Sequence, residues 1–199
     1  MEIDKEKLIK FCSEIYMLKR NKREGWYLSG VNSPDSLADH ITLAAQLAYI
    51  IGEFEGLDGA KCAMMVLFHD NGEARITDQH KVAARYIDKT KAEKQAFVEQ
   101  MELLPKKIRD KIITLFNEYE DAATPESVVA KDADWLEAAL QAKIHCERGY
   151  DLGIWIDNVS KALRTKSAKM ILDEIKKMDK FTTIWWQGLK KLNHNEIYH

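Results

Sequence analysis

Met64-Met65-Val66-Leu67-Phe68-His69-Asp70-Asn71-Gly72-Glu73-Ala74-Arg75-Ile76-Thr77-Asp78 is the stretch that decides how this chain is read. Five apolar residues carry a helix inward, and the run stops at an imidazole beside a carboxylate. Buried polar groups without partners are costly. His69 and Asp70 therefore need either a metal ion or a hydrogen-bond network. Glu73 follows Asp70 by three residues and Asp78 comes five later, both after Gly72, a plausible helix stop. The pattern predicts a helix over 59–71, apolar all round and buried on most sides.

Working outward, Ser33-Pro34-Asp35-Ser36 has the form of a helix start, with Ser33 as N-cap and Pro34 at the first helical position. The helix it opens runs to about Glu55. Its His40 shares a face with Ala44, Leu47, Ile51 and Phe54, so His40 points to the core. Before it, Leu8, Phe11, Cys12, Ile15 and Leu18 mark an amphipathic first helix. That helix runs into Lys19-Arg20-Asn21-Lys22-Arg23, followed by Glu24-Gly25-Trp26. The cations either complement the helix dipole or form an anion site, where Arg and Trp grip a phosphate and a base or sugar together.

Downstream, helices are expected near 90–104 and 106–119, separated by Pro105, with Ile108, Ile112, Leu115, Phe116 and Tyr119 inward on the second. Thr124-Pro125-Glu126-Ser127 repeats the cap-plus-proline pattern. The helix it opens carries Lys131-Asp132-Ala133-Asp134-Trp135-Leu136-Glu137, with Val129, Ala133, Leu136, Leu140 and Ile144 as its core stripe. Ala130 and Ala138 flank Asp134 at four-residue spacing and leave room beside its carboxylate, or allow close helix packing. A loop over 149–153, a helix over 159–178 with Leu163, Met170, Ile171 and Ile175 inward, a short last helix over 181–192 and a frayed tail complete the chain.

No segment alternates with period two, and no repeat or linker interrupts the pattern. The expectation is an all-α fold: one helical bundle of seven or eight helices spanning 1–199. Its core covers about 11–142, with C-terminal helices at 155–192 packed on it and a tail at 193–199. Nine Gly and three Pro are too few for an all-β design rich in tight turns. A formal charge of −2 gives no electrostatic support for binding a nucleic-acid polymer. Cys12, Cys62 and Cys146 form no Cys-x-x-Cys and indicate neither a zinc knuckle nor a disulfide framework. The charged N-terminus lacks a signal-peptide core, and no apolar run approaches the roughly 20 residues of a membrane span. The expected compartment is the cytoplasm.

Four groups from three helices are candidates to meet: His40, the His69-Asp70 pair, and Asp134 or Asp132. Two imidazoles and two carboxylates suit one divalent ion, Mn²⁺, Fe²⁺, Co²⁺, Ni²⁺ or Zn²⁺, with positions left for water and substrate. This ordered set resembles the HD-domain phosphohydrolases, whose motif is a distant His, an adjacent His-Asp and a later Asp on a separate helix. The resemblance is closest to the 5′-deoxynucleotidase branch that includes HD-domain-containing protein 2. It is carried by Leu18-Lys19-Arg20 through Gly25-Trp26, Pro34-Asp35-Ser36-Leu37-Ala38-Asp39-His40, His69-Asp70-Asn71-Gly72-Glu73 with Asp78, and Lys131-Asp132-Ala133-Asp134.

The resemblance implies metal-dependent hydrolysis of a nucleoside 5′-monophosphate, deoxyribose form preferred. It selects Asp134 as fourth ligand and leaves Asp132 as a supporting group or a partner of Lys131. It makes Glu73 the candidate for proton handling and puts Asp78 near the water and the sugar. Arg23 and Trp26 become candidates for phosphate and nucleoside contacts, with Lys19 or Arg20 as substitutes. Rival expectations are an HD-type triphosphatase, nucleotide pyrophosphohydrolase or cyclic-nucleotide phosphodiesterase, a di-iron oxygenase using His80 or His145, and a helical interaction module. A homodimer is expected; Ile184, Trp185 and Trp186 either bury its interface or close the chain's own core.

Overall fold

The computed structural model describes residues 3–187. Its helices are α1 (Lys5–Tyr16), α2 (Glu24–Leu28), α3 (Leu37–Phe54), α4 (Gly59–His69), α5 (Glu73–Ile76), α6 (Lys89–Met101), α7 (Lys106–Asp121), α8 (Pro125–Glu147), α9 (Gly153–Ala162), α10 (Lys166–Lys177) and α11 (Ile184–Gln187). Eight of these have ten residues or more, and the short α2, α5 and α11 raise the count above the seven or eight expected. Among the described residues there is no strand, only an isolated antiparallel bridge between Lys22 and Ser36. None of their helices is long and apolar enough to cross a membrane. The expected tail at 193–199 and the end of the last helix lie outside the described residues.

The axis of the fold is α8, whose start follows from its sequence. Thr124 accepts the Ser127 N–H, Ser127 returns the bond to the Thr124 N–H, and Pro125 takes the first turn where no donor is needed. Ala44, Ala48 and Ile51 of α3, Cys62, Met65 and Val66 of α4, and Val129, Ala133 and Leu136 of α8 pack into the main core. Two glycines let α3 and α4 approach: a Cβ on Gly59 would lie 2.6 Å from the Tyr49 carbonyl oxygen, and one on Gly52 2.8 Å from the Gly59 Cα. A second cluster joins Phe11 to α6 and α7, where Phe97 stacks on Phe116 at 3.9 Å.

Several elements depart from expectation. The second long helix starts at Leu37, with Ser36 and Asp39 as a capping box, and not at Ser33-Pro34. Residues around Pro34 are held extended because the Arg23 N–H donates to the Asp35 carbonyl and the Leu37 N–H to that of Asn21. The expected 159–178 helix is two helices, broken where buried Asp132 accepts the N–H groups of Arg164 and Thr165. Met170 and Phe54, expected inward, are exposed, and α4 is open on the side of Met64 and Leu67. Trp185 is 77% exposed and does not close the core.

Candidate functional site

Three helix positions bring the polar cluster together. His40 sits one turn into α3, directly after the capping box, and is fully buried. His69 is the last residue of α4, and Asp70 leaves the helix as its C-cap (φ −96°, ψ 12°). That break lets two adjacent side chains turn toward one point. Asp134 and Glu137 lie three residues apart on α8 and so share a face.

The atoms converge closely. His40 Nε2 is 3.1 Å from Asp134 Oδ1 and 3.7 Å from Asp70 Oδ2; His69 Nε2 is 3.2 Å from Asp70 Oδ2 and 3.7 Å from Asp134 Oδ1. These approaches are not all directed as hydrogen bonds. His40 Nε2 and Asp70 Oδ2 are buried and neither has a hydrogen-bond partner among the described residues. The outer atoms, by contrast, are held. His40 Nδ1 meets Glu137 Oε2 at 2.5 Å, His69 Nδ1 meets the Val66 carbonyl at 2.6 Å, and the Tyr119 hydroxyl donates to Asp134 Oδ2 at 2.9 Å. Both rings are thus oriented with Nε2 toward the centre. Orphaned inner atoms with fixed outer partners are what a metal site requires, and a donor set of imidazoles and carboxylates fits a divalent ion.

The protonation pattern without an ion is consistent with this. Burial pushes both histidines down, but the nearby carboxylates, Asp134 and Glu137 around His40 and Asp70 and Asp134 around His69, leave both raised. Burial pushes Asp70 and Asp134 up, yet the neighbouring imidazoles hold both below the usual carboxylate range. The raised imidazoles and the lowered carboxylates thus favour opposite charges on neighbouring groups.

A second, acidic half adjoins the first. Glu73 is 2% exposed, and burial together with the charges of Asp70 and Asp78 pushes its carboxyl up to about 9. The Lys89 ammonium donates to Glu73 Oε1 at 2.9 Å and lies 3.8 Å from Asp78 and 3.9 Å from Glu93. Glu73 Oε2 is buried without a hydrogen-bond partner among the described residues. Glu93 is raised to about 7 by burial and by Asp70. Oxygens of Asp70, Glu73 and Glu93 lie within 4.8 Å of one another, so this half too has donors for a cation. Asp78 is anchored by the Glu24 N–H at 2.8 Å.

The basic candidates separate. Arg23 reaches the cluster, with Nη1 3.6 Å from Asp70 Oδ2. Lys19 and Arg20 are exposed, and Lys19 lies over the Tyr16 ring instead. Trp26 is 2% exposed, its ring packed against His145 and Trp155, so the expected nucleoside contact finds no open ring face. Asp134 joins the cluster, whereas Asp132 does not. Asp132 is not paired with Lys131 either, since Lys131 bonds Glu120 and lies over the Tyr119 ring. Sequence reasoning missed Glu137, Tyr119, Lys89 and Glu93. The three-residue spacing from Asp134 points to Glu137; no spacing points to Lys89 or Glu93, which α6 brings from elsewhere in the chain.

Helical architecture and the His, His-Asp, Asp cluster define the class: the chain belongs to the HD-domain family, whose profile matches residues 15–190. Members of this family are metal-dependent. The chain is 34% identical over 143 residues to the 5′-deoxynucleotidase HDDC2 of Dictyostelium discoideum, covering 67% of this chain and 73% of that one. It is 29% identical over 138 residues to the 5′-deoxynucleotidase HDDC2 of Danio rerio, covering 69% and 68%. The crystal structure of the PH0347 protein from Pyrococcus horikoshii OT3 matches with a TM-score of 0.71 at 30% identity, over 84% of this chain and 97% of that one.

Proposed function

We propose that the chain is a metal-dependent phosphomonoesterase that cleaves nucleoside 5′-monophosphates, deoxyribose form preferred, to nucleoside and phosphate. The observation that carries this reading is the buried convergence of His40, His69, Asp70 and Asp134 with orphaned inner atoms. The names of the two 5′-deoxynucleotidase relatives support the substrate class.

In this reading His40, His69, Asp70 and Asp134 hold one divalent transition ion, Mn²⁺, Co²⁺, Fe²⁺, Ni²⁺ or Zn²⁺. When bound, such an ion acidifies a water and offsets phosphate charge. Arg23 binds the phosphate, because its guanidinium is the basic group that reaches the cluster from the Lys19–Arg23 segment. Glu73, buried beside Asp70 with Oε2 free of hydrogen bonds among the described residues, is placed to carry the proton to the leaving 5′ oxygen. Lys89 fixes the other Glu73 oxygen, and Asp78, tied to the start of α2, orients the water and the sugar. Trp26 anchors α2 behind Arg23. Lys19 and Arg20 point elsewhere, which leaves few cations for a triphosphate and favours a monophosphate. The chain works as one HD-domain unit and as a homodimer.

The test is phosphate release from a panel of nucleoside 5′-monophosphates and triphosphates with added Mn²⁺ or Co²⁺. Release from deoxynucleoside monophosphates, lost in His69→Ala and in Glu73→Ala, is expected. Cleavage of triphosphates alone, or wild-type rates in Glu73→Ala, would reject the assignment.

A further inference from the structure

The α3–α4 pair presents an outward face unlike the exposed face of α6, α7 or α10. Residues 41–52 and 62–68 contain no charged side chain, in a chain that is 31% charged. Six large apolar residues on these two helices are nonetheless exposed: Leu43 (50%), Tyr49, Ile50 (44%), Phe54 (65%), Met64 (39%) and Leu67 (41%). On α3 the inward residues His40, Ala44, Ala48 and Ile51 occupy one side, and Leu43, Ile50 and Phe54 fall on another at seven- and four-residue steps. On α4 the inward side is Cys62, Met65, Val66 and His69, which leaves Met64 and Leu67 outward. Both helices pack on the same core and against each other, so their outward sides adjoin.

We infer that this face is the interface with a second copy of the chain. The inference rests on the homodimer named above and not on the substrate. Charge depletion with large apolar and aromatic side chains is the composition of an interface centre. Taking about 200 Å² for a fully exposed large apolar residue, the six exposures amount to roughly 550 Å². That is close to the apolar share, about 65%, of the roughly 800 Å² that each partner buries in a stable dimer. Two antiparallel helices can meet their own copies about a two-fold axis, giving a four-helix layer without a new surface on either side. A membrane is the poorer occupant, because such faces are flanked by free basic residues. The one basic residue between the two uncharged stretches, Lys61, is paired to Glu118 at 2.7 Å. The C-terminal Trp185, the other exposed aromatic expected at an interface, is flanked by charge-bearing α10 and Lys190-Lys191 in the sequence.

The experiment is light scattering on the full chain over a hundredfold range of concentration. Wild type should give twice the 23.0 kDa chain mass, and Leu43→Glu with Leu67→Glu should give the single mass at unchanged helicity. Ile50→Arg serves as an independent variant should the double substitution not fold, and Trp185→Glu should remain dimeric. Wild type at the single mass overturns both the homodimer and the face. A dimer that survives Leu43→Glu/Leu67→Glu and Ile50→Arg but is lost in Trp185→Glu overturns the face alone. Phosphate release is read separately, so failure of the catalytic reading leaves this result standing.

Discussion

Glu137→Gln probes how far the site depends on a residue that touches no substrate. Glu137 Oε2 lies 2.5 Å from His40 Nδ1, and the carboxylate is 4% exposed. The pair fixes the ring so that Nε2 faces Asp134 and Asp70. A buried hydrogen bond involving a charged group contributes about 1.5–3 kcal/mol, and each 1.4 kcal/mol is about tenfold in a binding constant. Gln keeps an oxygen acceptor but loses the charge, so the expected loss of Mn²⁺ affinity is about tenfold. Glu137→Ala leaves Nδ1 without an acceptor and should lose nearer a hundredfold, the range known for groups that orient metal-binding histidines.

A second effect opposes the first. Glu137 helps to hold the His40 pKa up, so its removal makes the ring easier to deprotonate and eases competition between proton and metal. That relief operates only where the wild-type ring is protonated. The affinity loss should therefore be larger at about pH 8.5 than at about pH 6. The assay is competition of Mn²⁺ with a fluorescent chelator at both pH values, with melting temperature as a control for folding. An affinity within twofold of wild type at the higher pH, in a folded Glu137→Gln, refutes the orienting role.

The raised histidines predict that metal binding near neutral pH releases protons, read by calorimetry in buffers of different ionisation enthalpy; His40→Ala should release fewer. The metal-free protein should lose stability as pH rises. Burial raises Glu73 to about 9 and Glu93 to about 7, against 4.5 for an ordinary glutamate. Their protonated forms favour the fold fully below about pH 4.5, and that contribution is lost progressively above it, up to about pH 7 for Glu93 and about pH 9 for Glu73. Glu73→Gln should flatten the fall in melting temperature across that window, and an unchanged slope would reject the buried neutral carboxyl. Asp132→Ala orphans the N–H groups of Arg164 and Thr165 and the Thr165 hydroxyl. It should cost about 3 kcal/mol or more, a melting temperature lower by roughly 6–12 °C, with metal affinity unchanged. Asp134→Ala should instead abolish metal binding.

His40 is legible through its position on an apolar stripe, and α8 through its cap and proline, while the choice of Asp134 over Asp132 on that helix comes from the family resemblance. The stripe and the cap are local signals, and local periodicity survives folding when a helix is long and one-sided. The Ser33-Pro34 start failed because long-range bonds to Asn21 and Arg23 hold that segment extended, and nothing in its own four residues encodes them. The 159–178 helix failed for the same reason, since the break is set by Asp132 some thirty residues upstream. Arg23 could not be told from Lys19 and Arg20 by composition. The choice depends on where the chain turns after α1, which the Asn21 side chain fixes by donating to the Glu73 carbonyl at 2.8 Å.

The two halves of the site differ in how they are built, and that difference bears on how an ion could exchange. In the imidazole half each ring is held at Nδ1 by a group outside the cluster, Glu137 for His40 and the Val66 carbonyl for His69. Replacing the Nε2 proton by a metal therefore changes charge at the centre without requiring either ring to turn. In the acidic half Asp78 is tied to the Glu24 N–H, whereas Glu73 rests on a flexible partner. Glu73 is held through one oxygen by Lys89, a long side chain that also lies near Asp78 and Glu93. Any cation arriving beside Asp70 repels the Lys89 ammonium and favours the charged form of Glu73. Positive charge in the first half thus lowers the proton affinity of the carboxyl in the second.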